Sequence, residues 1–182
     1  MAFKPPKTFN LQSGQRAERK LLLTVVEWDE IDDSTTPATT TSYREILGRR
    51  TEDSSIEYNN DVATSTDILG FNYTDLNKTQ PQQDFDPFLV MGGSRLAAIL
   101  VDVMRRNALS ELNQFTAYVI SAFQGDSTNG YETVKHTGCT ITPNSIGGDV
   151  NVNMPISLYY SNDLTTGTVD KLSDDFTFTA DA

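Results

Sequence analysis

Between Gly48 and Phe88 the chain reads GRRTEDSSIEYNNDVATSTDILGFNYTDLNKTQPQQDFDPF, a polar stretch rich in Thr, Asn and Asp in which apolar side chains recur at alternate positions only over short spans. Ile56 and Tyr58 alternate with Ser55, Glu57 and Asn59, and Phe71 and Tyr73 alternate with Asn72 and Thr74. A period of two sends successive side chains to opposite faces of a strand, so the segment is expected to be an extended hairpin with a thin apolar face. Such strands cannot bury themselves and need a partner sheet. If that sheet belongs to another copy of the same chain, the protein is a building block rather than a catalyst.

Length and composition fit a β-rich unit of this kind. The 182 residues suit about one domain of roughly 100 to 200 residues. It is expected over 1–182, with an N-terminal arm at 1–20, the hairpin at 48–88 and a helix at 94–107. An apolar share of 37% lies below the roughly 45–50% of ordinary globular chains, which implies much exposed polar strand surface. The net charge is −11, unevenly spread: residues 1–20 carry +4, residues 27–33 carry −5 and the remainder −10. Acidic surface repels phosphate, which argues against tight groove-type binding of nucleic acid and suits a wall past which DNA slides without sticking. Cys139 is the sole cysteine, so no intramolecular disulfide forms, and no Cys/His spacing supports a zinc site. Assembly in a reducing cytoplasm fits. The opening MAFKPPKTFNLQSG lacks an apolar stretch of signal-peptide length, and no apolar run approaches a membrane span, so a soluble chain is expected.

Pro5 and Pro6, flanked by Phe3 and Phe9, set an extended arm that docks on something else if it is ordered. Leu21–Trp28 reads as a central strand ending in an acidic turn, Asp29 to Asp33, before a polar loop and a short strand from Tyr43 to Leu47. SRLAAILVDVMRRNAL is the clearest helix. Leu96, Ile99, Leu100, Val103 and Met104 fall on one face expected to pack on a sheet, Ser94 is the N-cap, Arg105 and Arg106 complement the dipole, and Asn107 is the stop. Further strands are expected at Phe115–Phe123, Tyr131–Thr142, Val150–Tyr160 and Asp174–Ala180, about seven in all with one helix, which makes a sandwich or small barrel.

Chemistry is thin. His136 is the only histidine; three residues from Cys139 in a regular strand, it faces the other way and reads as a surface residue. Asp84 with Asp86, and Asp174 with Asp175, read as turn carboxylates rather than metal ligands. Gly92 and Gly93 precede the helix without the GK[ST] of a phosphate cradle. No catalytic, metal-binding or cofactor-binding residues are assigned.

Taken together, GRRTEDSSIEYNNDVATSTDILG, NYTDLNKTQPQQDFDPF and GGDVNVNMPI resemble the tail tube, or major tail, proteins of tailed bacteriophages, particularly phages of Gram-positive bacteria. The likeness runs from about Tyr43 to Ala180 and is strongest from Gly48 to Phe88; Met1 to Thr41 carries none of it. The resemblance implies a mainly β fold of two packed antiparallel sheets, sandwich or barrel, with one flanking helix. It further implies hexameric rings stacked into a hollow conduit for the genome, with the hairpin and the termini making contacts between rings. Implied partners are further copies of the chain and other tail proteins: the tape measure, the tail terminator and the baseplate or tip. DNA would cross the lumen without specific binding, no cofactor is implied, and the place of action would be the virion tail after assembly in the host cytoplasm. Strands pairing across the ring would close one barrel without free edges. The inter-subunit contacts expected are Phe3, Phe9, Ile56, Tyr58, Ile68, Leu69, Phe71 and Tyr73. Two other readings remain open: the inner tube of a contractile injection, bacteriocin or type VI-like apparatus, and a capsid decoration or receptor-binding domain using Trp28 or Tyr159 as a sugar platform.

Overall fold

The computed structural model describes residues 7–32, 34, 36–51 and 53–181. It is mainly β, with two antiparallel sheets and one α-helix among the described residues. The strands are β1 (Leu22–Asp32), β2 (Thr39–Ile46), β3 (Ile56–Glu57), β4 (Asp61–Thr66), β5 (Asn72–Lys78), β6 (Gln82–Phe85), β7 (Phe115–Asp126), β8 (Gly130–Pro143), β9 (Ile156–Tyr159), β10 (Leu164–Val169) and β11 (Phe178–Ala180), and the helix α1 is Arg95–Arg106.

The large sheet runs β2-β1-β7-β8-β9-β6-β3, with β10 and β11 branching from β8. Strand β8 serves both halves. Its first part pairs with β7 and β10, and its last part, Thr140 to Pro143, pairs with β9. The change comes at Gly138, whose φ of +76° makes a bulge opposite Phe115 and Thr116; only glycine takes that backbone without strain. Beyond the bulge, β9, β6 and β3 turn back across the first half. Val26, Phe115, Ala117, Phe85, Ile141, Ile156 and Leu158 meet there in the main core, beneath Leu96, Leu100 and Val103 of α1. A second core lies on the other face of β1 and β7, where Val25, Tyr118 and Ile120 meet Val169 and Phe176.

Several expectations change. Strand β1 continues through the acidic run to Asp32, because β2 pairs with it along that length from Asp29↔Ser42 to Asp32↔Thr39. Only Ile156–Tyr159 of the 150–160 stretch is strand, and Val150 is exposed. Likewise only Phe178–Ala180 of 174–180 is strand; the preceding residues cross the second core and bury Phe176. Strand β10, Leu164–Val169, was hidden by its threonines and is held by pairing to β8 and β11. The sheet of one chain is open rather than a closed barrel: among the described residues its strand order ends at β2 and β3, and β11 pairs with β10 alone. On α1 the buried side chains are Leu96, Ala97, Leu100 and Val103, with Ile99 partly buried. Met104 instead lies 45% exposed: seven residues after Ala97 it shares that face, but in the last helical turn it stands over an open cleft lined also by Ile146 and Met154.

Candidate interaction surface

The hairpin is built from its root outward. Gln83 in β6 is buried, and both ends of its amide are bonded: Oε1 accepts from the Thr24 hydroxyl (2.8 Å) and the Tyr160 hydroxyl (2.6 Å), and Nε2 donates to Ser54 Oγ (3.0 Å). Ser54 Oγ in turn donates to the Asp84 carbonyl, and Arg19 donates to the Ser54 carbonyl. Ile56, in β3, packs against the main core, so this predicted contact residue belongs to the hairpin's anchor within its own chain.

Beyond Gln80, β4 and β5 form a separate two-stranded sheet. The tip is a tight turn in which Asp67 Oδ1 accepts from the backbone N–H groups of Leu69 and Phe71, and Gly70 sits at φ +83°. Ile68 at the tip is fully exposed, at 102%, and Tyr58, Leu69, Phe71 and Tyr73 are exposed as well. The register places Tyr73 opposite Ser65, on one face, and Val62 opposite Leu76, on the other. Val62 and Leu76 are two further exposed apolar residues that the sequence reading left out. Their signal was an apolar pair of the opposite parity to Phe71 and Tyr73, visible only once the register is known.

The arm behaves differently. Phe3 lies outside the described residues. Phe9 meets Phe123 of its own chain edge-on at 5.7 Å while staying exposed, and Asn10 donates from its backbone to the Phe123 carbonyl and from its side chain to the Gly125 carbonyl. Lys7 pairs with Glu132 at 2.9 Å, which raises its pKa.

The remaining candidates take structural places. His136 is buried, not on the surface: the Gly138 bulge restores it to the same face as Cys139, its ring packs on Tyr160 at 4.9 Å, and Nδ1 bonds the Ser161 carbonyl at 2.8 Å. The Cys139 thiol, also buried, is pushed above its ordinary pKa by desolvation and donates to the His136 carbonyl. Ahead of the helix, Glu45 occupies the place an anion would take, accepting from the Ser94 hydroxyl and the Leu96 N–H. Asp84 and Asp86 accept from Gln82 and Asn153, and Asp175 takes Lys171 and Ser173. Arg106 grips Asp102 and Glu111, so the helix-end arginines face carboxylates of their own chain. Trp28 is buried; Tyr159 is 42% exposed. Among the described residues no three His, Cys, Asp or Glu are grouped to hold a metal, and no helix is long and apolar enough to cross a membrane.

No protein-family description matches the sequence, and no curated protein is similar to it. The chain is similar at low identity to solved structures that include two parts of the anti-feeding prophage. One comes from the anti-feeding prophage cap, described as a tube terminating cap, with 10% identity over 87% of this chain and 95% of that one and a TM-score of 0.48. The other comes from the anti-feeding prophage baseplate, with 12% identity over 89% of this chain and 100% of that one and a TM-score of 0.42.

Proposed function

We propose that this protein is a structural subunit of a phage-type tail, a tube protein whose copies associate into stacked rings around a conduit for DNA. The observation that carries the reading is the β4–β5 hairpin, a projecting element with apolar side chains on both faces and at the tip. An isolated two-stranded hairpin is at best marginally stable in water, so this one is completed by something outside its chain. Strand β11, which among the described residues pairs with β10 alone, supports the same reading, because an exposed sheet edge is a template for pairing. Hexameric symmetry and contacts with other tail proteins follow from the family resemblance, and the net charge of −11 suits a wall that does not adsorb DNA.

Negative-stain images of concentrated protein, compared with a variant in which residues 61–78 are replaced by Gly-Gly, test this. Wild type is expected to form rings or tubes, and the variant to remain monodisperse with an unchanged unfolding midpoint. Ser54 and Ile56 must be kept in the variant, since both belong to the body. Wild-type protein that stays monodisperse at about millimolar concentration, far above ordinary working levels for a μM association, overturns the proposal.

A further inference from the structure

The chain also carries a surface that matches its own hairpin. At the start of β1 and the end of β2 lies a cleft of about 380 Å³. Leu22, Leu23, Leu47 and Phe85 give it an apolar floor, and Arg19, Lys20 and Arg49 stand at its rim. No carboxylate lines it among the described residues. Lys20 is paired with Glu18, but the Arg19 guanidinium donates to the neutral carbonyls of Ser54 and Leu22 and so keeps its charge. Arg49 and the adjacent Arg50 are exposed and have no ion pair among the described residues. A cationic cleft with a greasy floor is out of character for a chain of net charge −11.

The hairpin has the opposite character. Residues 61–78 carry Asp61, Asp67 and Asp75 against Lys78, a net of −2, together with the exposed Val62, Ile68, Leu69 and Leu76. We infer that this cleft is the seat of the hairpin of a second copy, an inference that rests on the self-assembly proposed above.

The root of the hairpin sets the direction. Phe85 lines the cleft beside Leu47; two residues earlier, Gln83 bonds Thr24 of β1; and Pro81 accepts from the Tyr160 N–H, whose ring lies on His136 of β8. Strand β6 therefore runs from the cleft, where Phe85 and Ser54 line it, toward the β8 side, and the hairpin leaves from the end of β6 away from Phe85. A knob on one side and a matching socket on the other make a heterologous contact, which propagates from copy to copy instead of closing a two-fold dimer.

Charge reversal distinguishes the possibilities, with sedimentation velocity as the readout and circular dichroism as the check on folding. Arg49→Glu with Arg50→Glu reverses the socket; Asp61→Lys with Asp75→Lys reverses the knob, leaving the turn-capping Asp67 intact. Each double variant alone is expected to need roughly tenfold more protein to associate than wild type, a loss that grows less distinct at high salt. An equimolar mixture of the two is expected to associate like wild type, because each reversed socket then meets a reversed knob. Unimpaired association of the socket variant, or two impaired variants whose mixture stays monomeric, overturns the inference while leaving the tube proposal standing. Should the socket variant associate normally and yet lose binding to a labelled DNA duplex that wild type holds, the cleft belongs to nucleic acid and the inference falls. Wild type that never associates removes both.

Discussion

Gln83 joins the hairpin to the body through a single amide whose partners are all buried or half-buried side chains. Gln83→Ala strands the Thr24 and Tyr160 hydroxyls and opens a hole, a combination expected to cost about 2–4 kcal/mol, measurable by urea denaturation. Tyr118 gives a pH signature. Burial, reinforced by the Glu27 carboxylate beside its hydroxyl, pushes its pKa from 10.0 up to about 12. The native state holds that proton more tightly than the unfolded chain, so the contribution is whole below pH 10 and disappears as pH rises through 12. Unfolding midpoints should fall across that window, and phenolate absorbance should lag behind that of a free tyrosine. The ring also illustrates what sequence conceals: Arg44, 5.6 Å from its centroid, stacks over Phe176 at 4.4 Å and donates to the Phe176 carbonyl, a meeting of three segments distant in sequence.

The helix and the central strands were legible because each obeys a local period. SRLAAILVDVMRRNAL announced its cap, its apolar stripe and its αL stop, and Asn107 takes φ +55° with its N–H bonded to Met104 and Val103 carbonyls. What local pattern omitted was Glu45, which caps the helix from β2 across fifty residues of sequence, on the order of a separation no window reaches. Glu45→Ala should cost about 1–2 kcal/mol by orphaning the Leu96 N–H and the Ser94 hydroxyl, read as a lower urea midpoint. The hairpin was legible as an element but only half legible as a surface. Alternation marked Phe71 and Tyr73, whereas the Val62–Leu76 pair depends on a register that pairs Asp61 with Lys78 and then slips by one residue. The relation of His136 to Cys139 was misjudged for a related reason, since the left-handed Gly138 between them shifts the parity of β8 by one residue.

At the scale of the molecule, charge that looked like simple excess is organised into fastenings. Glu30 holds Arg95, and Asp102 and Glu111 hold Arg106, so α1 is tied to β1 and to the turn that follows it. These carboxyls sit below their ordinary pKa because of hydrogen bonds from the arginines, and Asp126 does so through the N–H groups of Asn129 and Thr128. A depressed native pKa means that the stabilisation is complete above the unfolded carboxylate range and lost as pH falls through the native one. Thermal midpoints are therefore expected to drop on acidification from about pH 6 to about pH 3, and charge-neutral Glu30→Gln should flatten the slope. Composition foretold the acidic surface but not the cationic cleft, which gathers Arg19, Lys20 and Arg49 from two strand ends.

One mechanical corollary concerns how the hairpin is hung. Its root is fixed in the body: Ser54 and Gln83 are buried and Ile56 packs on the core, so a load that reaches the root is delivered to the middle of the folded body. Copies linked through such stalks would resist bending as a stiff rod does, instead of swinging like beads on a string.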